Sequence, residues 1–222
     1  VLSDHMFHKF THLLKDVIKT KSNKIESKLT TPEILFQLSN PTEMIPSKLA
    51  EVELYKLALT SDTTDEDIKK YYLNWFWVDH GQIGPARKLS DIKKVFINLK
   101  ANKKDTQEKL NNLLELGREI NESQEKLEKE LMFTDKEKYL FSVVKKFMYL
   151  KGLRMEILFG FSACWSIMLD EVAKRSNIEK NLLYYFSMSE LSNFLFGKID
   201  LNIEDLKSRS KYCVWVAKSE MG

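Results

Sequence analysis

One short segment of the sequence, residues 78–89, concentrates side chains that could bind an anion or orient a polar substrate. It contains Asp79, His80 and Arg87 among two glycines and a proline. Histidine titrates near neutral pH and arginine forms paired hydrogen bonds to phosphate, so both residue types suit a charged substrate. The alternative interpretation is a purely structural loop between two helices, shaped by its glycines and proline.

Two residues outside this segment complete the candidate substrate-binding set. Trp75 belongs to an aromatic helical face just before the segment, and its ring could line a pocket or pack in the core. Arg154 enters an apolar stretch, where a charge must be paired or close to solvent. It could therefore meet a phosphate or bond to neighbours of Glu156. The predicted set is Trp75, His80, Arg87 and Arg154, with no catalytic residue and no metal ligand assigned.

Histidine and cysteine offer little further chemistry. His5, His8 and His12 are three and four residues apart, so a helix would place them on one face, where they could bind a metal or be there incidentally. Cys164 and Cys213 belong to no CxxC pair, which argues against a disulfide framework or a zinc site. A reducing cytoplasm is the predicted location.

Several catalytic signatures are missing from the sequence. It has no GxxxxGK[ST], no GxGxxG and no GxSxG, and no paired carboxylates with the spacing of a di-iron or terpenoid-type bundle. No convincing nucleophile–base pair is present. The chain is therefore predicted to catalyse nothing alone and to hold no cofactor. These features leave membership of a larger enzyme open.

Composition predicts the fold class that must position these residues. The chain has 222 residues, 43% of them hydrophobic and 30% charged, which suffices for one ordinary domain or two small ones. It has only 7 glycines and 4 prolines, whereas a β-sandwich or barrel turns about every 8–12 residues. The predicted fold class is all-α. A net charge of +3 is too balanced to predict a nucleic-acid partner.

Periodicity predicts a multi-helix bundle in two parts, 1–104 and 105–222. The first part is helical and contains the polar loop 78–89. The second begins with a long protruding hairpin over residues 105–150 and continues into an apolar helix. It ends in a C-terminal segment that leads out of the helical part, which we call the lead-out. Residues 155–169 are apolar nearly all round, which predicts burial on several sides. The apolar run 157–169 is too short for a membrane span, which needs about 20 residues.

Start signals and apolar spacing predict two helices in the first part. Thr31-Pro32 begins a short helix, because proline suits the first helical turn. Another helix begins at Pro46 and runs to about residue 59, with Leu49, Val52 and Leu57 facing inward.

Capping signals and extended patterns organise the end of the chain. Ser187 with Glu190 forms a capping box, and Asn202 caps the last helix. Short extended segments are predicted near 182–186 and 212–216, the latter as an edge strand with partners beyond residue 222.

The second half also contains a series of short motifs. Leu153-Arg154 lies in the long helix. Residues 183–191, LYYFSMSEL, are similar to an acidic-Ile-Phe-Tyr-Leu-Thr-x-Glu-Glu-Leu run, and Ile203, Arg209 and Tyr212 are similar to its lead-out. This pattern resembles the central helical region of phosphoenolpyruvate-utilising phosphotransferases, the group around phosphoenolpyruvate synthase, pyruvate phosphate dikinase and rifampin phosphotransferase.

Upstream, the phosphotransferases often have an aromatic helix that ends in a His-Arg-Gly-Pro loop. A similar arrangement is found here in the aromatic residues 75–77, which are followed by Gly84-Pro85. When the Gly-Pro pair is aligned, Gln82 and Ile83 occupy the His-Arg positions, and His80 lies two positions earlier. The resemblance covers roughly residues 65–216.

The resemblance implies a helical domain that binds an acceptor or links other domains of one cytoplasmic polypeptide. ATP and Mg²⁺ would bind a domain before Val1, and a swivelling phosphohistidine domain would follow Gly222. A small-molecule acceptor and those domains are the implied partners; no nucleic acid or membrane is expected. The alternative is a non-catalytic helical scaffold that binds proteins through the 105–150 hairpin.

Overall fold

The computed structural model describes residues 2–22, 29–78, 80, 87–199 and 202–213, with side chains from residue 9 onward. These residues form ten helices and no strand, so the predicted all-α, multi-helix class is confirmed. The helices are α1 (Leu2–Ser22), α2 (Thr31–Ser39), α3 (Pro46–Leu59), α4 (Asp65–Trp75), α5 (Leu89–Ala101), α6 (Lys103–Glu130), α7 (Asp135–Ser176), α8 (Lys180–Leu183), α9 (Met188–Leu195) and α10 (Ile203–Lys211).

Local capping sets several of these helix starts. The Thr64 hydroxyl accepts a hydrogen bond from the Asp67 amide at 3.2 Å, and the Asp67 carboxylate accepts from the Thr64 amide at 2.8 Å. Ser187 and Glu190 form the predicted box, and the Asn202 side chain accepts from an amide of the first turn of α10. Such bonds satisfy donors that the first helical turn leaves unpaired.

The chain divides into two compact units, Val1–Ala163 and Cys164–Gly222, with the boundary inside α7. We call them unit 1 and unit 2 and describe each separately. The division between residues 104 and 105 stays a prediction.

The α6–α7 hairpin of unit 1 is present, but its closing turn does not protrude. Leu127 and Leu131 near the end of α6, together with Phe141 of α7, are buried against α1 and α2. Leu14 of α1 and Leu38 of α2 are fully buried on the other side of this contact. The members of this first core are Leu14, Ile18, Ile34, Leu38, Leu127, Leu131, Phe133, Phe141 and Val144.

A buried amide fixes the hairpin to the end of α2. Gln124 is 1% exposed, and its Nε2 donates to the carbonyl oxygens of Gln37 at 2.9 Å and Asn40 at 2.7 Å. Its Oε1 accepts from Lys145 Nζ at 3.0 Å. These bonds satisfy C-terminal carbonyls of α2 that have no partner within that helix.

The hairpin also approaches the α2–α3 connection closely at two glycines. A Cβ atom added to Gly117 would lie 2.8 Å from the carbonyl oxygen of Thr42, so α6 needs glycine at this position. On α7, a Cβ at Gly152 would lie 3.4 Å from Ile45 Cγ2. These approaches hold α6 and α7 against the chain that leads into α3.

A second core, formed by α3, α4 and α5, positions the predicted site. Val52, predicted to face inward, is buried, but Leu49 is 45% exposed, so that part of the α3 pattern was wrong. Trp75 and Leu57 pack against this core. Its buried members are Leu54, Ala58, Ile68, Tyr71, Ile92 and Phe96.

The apolar part of α7 is much less buried than predicted. Ile157 and Phe161 are each 62% exposed, and Leu158 is 49% exposed. The expected burial of residues 155–169 on several sides is therefore wrong, because neighbouring helices cover only part of the α7 circumference. α7 also has the length and composition of a possible membrane span, with a mean hydropathy of 1.3 and 22% burial in its most apolar window. Core helices of soluble proteins share this length and composition.

Unit 2 packs around Leu169, Val172, Ile178, Leu183 and Leu191. The predicted extended segment 182–186 is wrong. Its first two residues belong to α8, and the amides of its last two residues, 185 and 186, donate to carbonyls three residues back and form turns. The predicted strand 212–216 is not found in its described part, residues 212–213, and residues 214–216 lie outside the description.

Candidate functional site

The end of α4 brings the predicted aromatic residues to the start of the polar segment. α4 ends at Trp75, and a turn follows in which the Val78 amide donates to the Trp75 carbonyl at 3.1 Å. The His80 amide donates to the Trp77 carbonyl at 3.0 Å. Backbone bonds therefore fix the position of His80 relative to the aromatic turn. Asp79 and residues 81–86 lie outside the described residues.

Trp75 is held by a polar contact as well as by packing. Its indole Nε1 donates to Glu53 Oε2 at 2.6 Å, and its ring packs against the second core. The ring centroids of Trp75 and Trp77 are 6.1 Å apart. The indole nitrogen is thus engaged by α3, and a substrate would meet the ring of Trp75 rather than its polar atom.

His80 is the most unusual member of the predicted set. It is 3% exposed, and its Nδ1 has no hydrogen-bond partner in the part of the chain that the structure describes. A buried polar atom without a partner costs about 1–3 kcal/mol. A ligand that bonds to this nitrogen would remove that cost.

Arg87 lies on the far side of the polar segment and returns to the same turn. Its amide donates to the Phe76 carbonyl at 3.3 Å. Burial raises the pKa of Tyr71 to about 12, and the positive charge of Arg87 opposes that rise while the negative charge of Glu53 adds to it. Charges of both signs therefore act on the Tyr71 hydroxyl.

Arg154 is exposed on α7, some distance before the point where that helix meets the aromatic turn. The contact between α7 and the turn is at Gly160, where a Cβ would lie 3.5 Å from the Trp77 ring. Arg154 precedes Gly160 by six residues, or about 9 Å along a helix. The structure thus groups Trp75, His80 and Arg87 around one turn, and places Arg154 about 9 Å before the point where α7 contacts that turn.

Sequence analysis missed two residues beside Trp75. Tyr71 lies four residues before Trp75 on α4, on the aromatic helical face that the sequence predicted, but it was not assigned to the site. Glu53 belongs to α3, and no spacing along the chain links it to Trp75.

A third missed residue, Glu156, was considered only as a neighbour of Arg154. It is 6% exposed and accepts from the Ser47 amide at 2.8 Å and from the Ser47 hydroxyl. Its carboxylate therefore pairs an amide of the first turn of α3, and its negative charge is favourable at the positive end of that helix dipole.

A separate polar cavity of about 500 Å³ lies in unit 2. Arg209 donates to both carboxylate oxygens of Glu190, at 2.8 and 2.9 Å, and to the Tyr185 carbonyl at 3.3 Å. The bonds from Arg209 and Ser187 lower the pKa of Glu190 to about 2. The cavity is lined by Tyr185, Ser187, Ser189, Glu190, Arg209, Tyr212 and Cys213.

The predicted metal face remains a prediction. His5 and His8 belong to α1, as the spacing argument requires, but their side chains lie outside the description. Among described residues, no group of three or more His, Cys, Asp or Glu could hold a metal ion.

Comparison with protein-family models, with curated proteins and with solved structures gives no match. The function is therefore inferred from the geometry described above and from the motifs of the sequence.

Proposed function

We propose that this chain is the helical substrate-binding and linker domain of a multidomain phosphoenolpyruvate-utilising phosphotransferase in the cytoplasm. It would not catalyse alone. It would hold a small-molecule acceptor while a swivelling phosphohistidine domain of the same polypeptide approaches, and ATP and Mg²⁺ would bind another domain.

The paired bonds between Arg209 and Glu190 carry this proposal. Glu190 belongs to the 183–191 run and Arg209 to the lead-out, the two stretches on which the family resemblance depends. A bidentate arginine–carboxylate pair requires specific residue types at both positions. The contact gives a structural reason for finding both motifs in one chain.

His80 and Arg87 support the acceptor-binding part of the proposal. The buried Nδ1 of His80 has no partner among the described residues, so a ligand could bond to it, and the guanidinium of Arg87 supplies positive charge near the same turn. An acceptor that gains a phosphoryl group develops negative charge, which a nearby arginine stabilises.

The first experiment measures the mass and flanking sequence of the native polypeptide. A product three to four times this size, with an ATP-binding region before Val1 and a Gly-Gly…Ser-His motif after Gly222, is the expected result. A native product of about the size of this chain, 26.1 kDa, contradicts the proposal.

In that full polypeptide, Arg87→Ala tests the acceptor site. We expect the enzyme to phosphorylate its own histidine from ATP at the normal rate, but to transfer the phosphoryl group to acceptor at least tenfold more slowly. Arg118→Ala, an exposed ion-paired arginine on α6, is the matched control. Equal transfer rates in both variants would remove Arg87 from the site.

A second candidate function is a helical interaction module, which the exposed face of α7 favours. Phe147, Leu150, Ile157 and Phe161 follow three-, four- and seven-residue spacing and are 40–62% exposed. Such a stripe suits packing against another helix. Sedimentation should show concentration-dependent association that Ile157→Ser with Phe161→Ser abolishes, while Leu73→Ser on α4 does not. A chain that stays monomeric at every concentration argues against this function.

A further inference from the structure

An open groove lies between α2 and α6, on a surface that the proposed acceptor site does not use. Its volume is about 680 Å³. Both helices contribute residues three and four apart, so one side of each helix faces the groove. The side chains that matter here are Glu33, Phe36 and Gln37 of α2 and Leu116, Glu119 and Ile120 of α6.

The floor of the groove exposes large apolar side chains to solvent. Phe36 is 74% exposed and Leu116 is 44% exposed, and Ile120 is half-buried beside them. Burial of apolar surface stabilises a complex. A partner that covers these three side chains therefore gains binding energy from apolar contact.

The groove is held in shape from beneath. Gln37 Nε2 donates to the Ser123 hydroxyl, and the buried Gln124 bonds to the carbonyls of Gln37 and Asn40. These bonds link the two walls, so binding does not require the walls to be ordered first. A preformed surface loses less conformational freedom on binding.

The rim of the groove is acidic, in contrast with the whole chain. The two charged residues that line it, Glu33 and Glu119, are both acidic, whereas the chain carries a net charge of +3. Arg118 forms ion pairs with Glu115 and Glu122. Glu33 and Glu119 line the groove itself, and hydrogen bonds from Thr30 lower the pKa of Glu33, so its carboxylate is ionised at neutral pH.

We propose that this groove binds a basic amphipathic helix supplied by another polypeptide or domain. Its apolar face would cover Phe36, Leu116 and Ile120, and its lysine or arginine residues would lie opposite Glu33 and Glu119. Two adjacent helices form a row of ridges and grooves into which a third helix packs. Charge complementarity selects a basic partner over an acidic one.

Two 16-residue helical peptides test this proposal. Both carry leucine at positions i, i+3, i+4 and i+7, and they differ only in having lysine or glutamate at the flanking positions. We expect fluorescence anisotropy to show at least tenfold tighter binding of the lysine peptide at low salt, with the difference shrinking as salt screens the charges.

Variants of the chain locate the binding surface. Phe36→Ala and Glu119→Lys should each weaken binding of the lysine peptide at least fivefold. Leu114→Ala, which removes an exposed leucine of α6 outside the groove, should leave it unchanged. Circular dichroism of each variant checks that the fold is retained.

Equal binding of the two peptides, no binding of either at millimolar concentration, or equal effects of Phe36→Ala and Leu114→Ala would each overturn the proposal. Self-association of the chain that Phe36→Ala abolishes would also overturn it, by identifying a second copy as the occupant. None of these outcomes affects the phosphotransferase proposal, which depends on other residues.

Discussion

Two glutamates, one in each unit, accept a hydrogen bond from a backbone amide at the start of a helix. The glutamate and its donor are far apart along the chain in one unit and close together in the other. In unit 1, Glu156 binds Ser47 across 109 residues and is 6% exposed. In unit 2, Glu190 binds Ser187 three residues away, and its side chain is 33% exposed. The first contact joins α7 to α3, whereas the second organises a single helix start.

The same contrast extends to the other polar contacts of the two units. In unit 1, Gln124 bonds to carbonyls 84 and 87 residues away. In unit 2, the contact of Arg209 with Glu190 spans 19 residues, and Lys180 bonds to Ser166 across 14. Unit 1 is therefore stabilised by buried long-range contacts, and unit 2 by partly exposed contacts of shorter range.

The largest effect is expected from Glu156→Ala. The change leaves the half-buried Ser47 amide and hydroxyl without their acceptor, which should lower the free energy of unfolding by about 3 kcal/mol. Chemical denaturation of the purified chain measures this value. Glu190→Ala is the matched comparison in unit 2, with an expected cost of about 1 kcal/mol because its site is partly solvated. Equal costs would break the contrast between the two units.

Gln124→Met should have the next largest effect. Methionine has a similar length but no amide, so the carbonyls of Gln37 and Asn40 lose their donor. We expect a loss of about 2 kcal/mol, measured by the shift in the denaturation midpoint. Gln107→Met, an exposed position on the same helix, is the control and should change stability by less than about 0.5 kcal/mol. A neutral Gln124→Met would show that water replaces the amide.

Gly117→Ala and Gly160→Ala form a matched pair on α6 and α7. The Gly117 methyl would lie 2.8 Å from the Thr42 carbonyl oxygen, so α6 must shift, at a cost of about 2–3 kcal/mol that exceeds the gain of about 1 kcal/mol from placing alanine in a helix. The Gly160 methyl would make an ordinary contact with Trp77 at 3.5 Å, and alanine favours helix by about 1 kcal/mol. Thermal unfolding should therefore show opposite shifts; shifts of the same sign would contradict the close approach at Gly117.

The smallest effect concerns the pH dependence of unit 2. Bonds from Arg209 and Ser187 hold the pKa of Glu190 at about 2, below its ordinary value of about 4.5. Its contribution to stability is therefore complete above about pH 4.5 and is lost as the pH falls towards 2. Because Glu190 is partly exposed, we expect a contribution of about 1 kcal/mol.

Hydrogen exchange of residues 187–211 at pH 6 and pH 3 measures that contribution. Protection of this segment should fall at the lower pH in the wild type, after correction for intrinsic exchange. Glu190→Gln should remove most of the difference between the two pH values. A variant that keeps the full pH dependence would show that Glu190 is not its source.

The local part of this structure could be predicted well from the sequence. The Ser187–Glu190 box and the Asn202 cap are confirmed because residues three apart reach each other in any helix start. The bounds of α3 are also confirmed, since Pro46 suits the first helical turn. The Ser47–Glu156 bond could not be predicted, because spacing along the chain does not reveal which helix faces which.

The errors have the same origin. An apolar stretch such as 155–169 indicates which residues avoid water, but not how many neighbouring helices are present to cover them. The segment 182–186 is rich in aromatic residues that favour strands, yet Leu183 is buried in the core of unit 2, and local turns satisfy the backbone. Of the candidate site, the sequence identified the segment around His80 and the aromatic face of α4, but not the bond from Trp75 to Glu53 of α3.

The first core has a consequence for how the chain is made. It joins Leu14, Ile18, Ile34 and Leu38 to residues 127–144, so α1 and α2 leave the ribosome long before their partners. At a synthesis rate of about 5–20 residues per second, the residues that bury these apolar faces follow about 5–20 s later. During synthesis, the apolar faces of α1 and α2 are therefore exposed before their core partners exist, and exposed apolar surface of this kind favours aggregation.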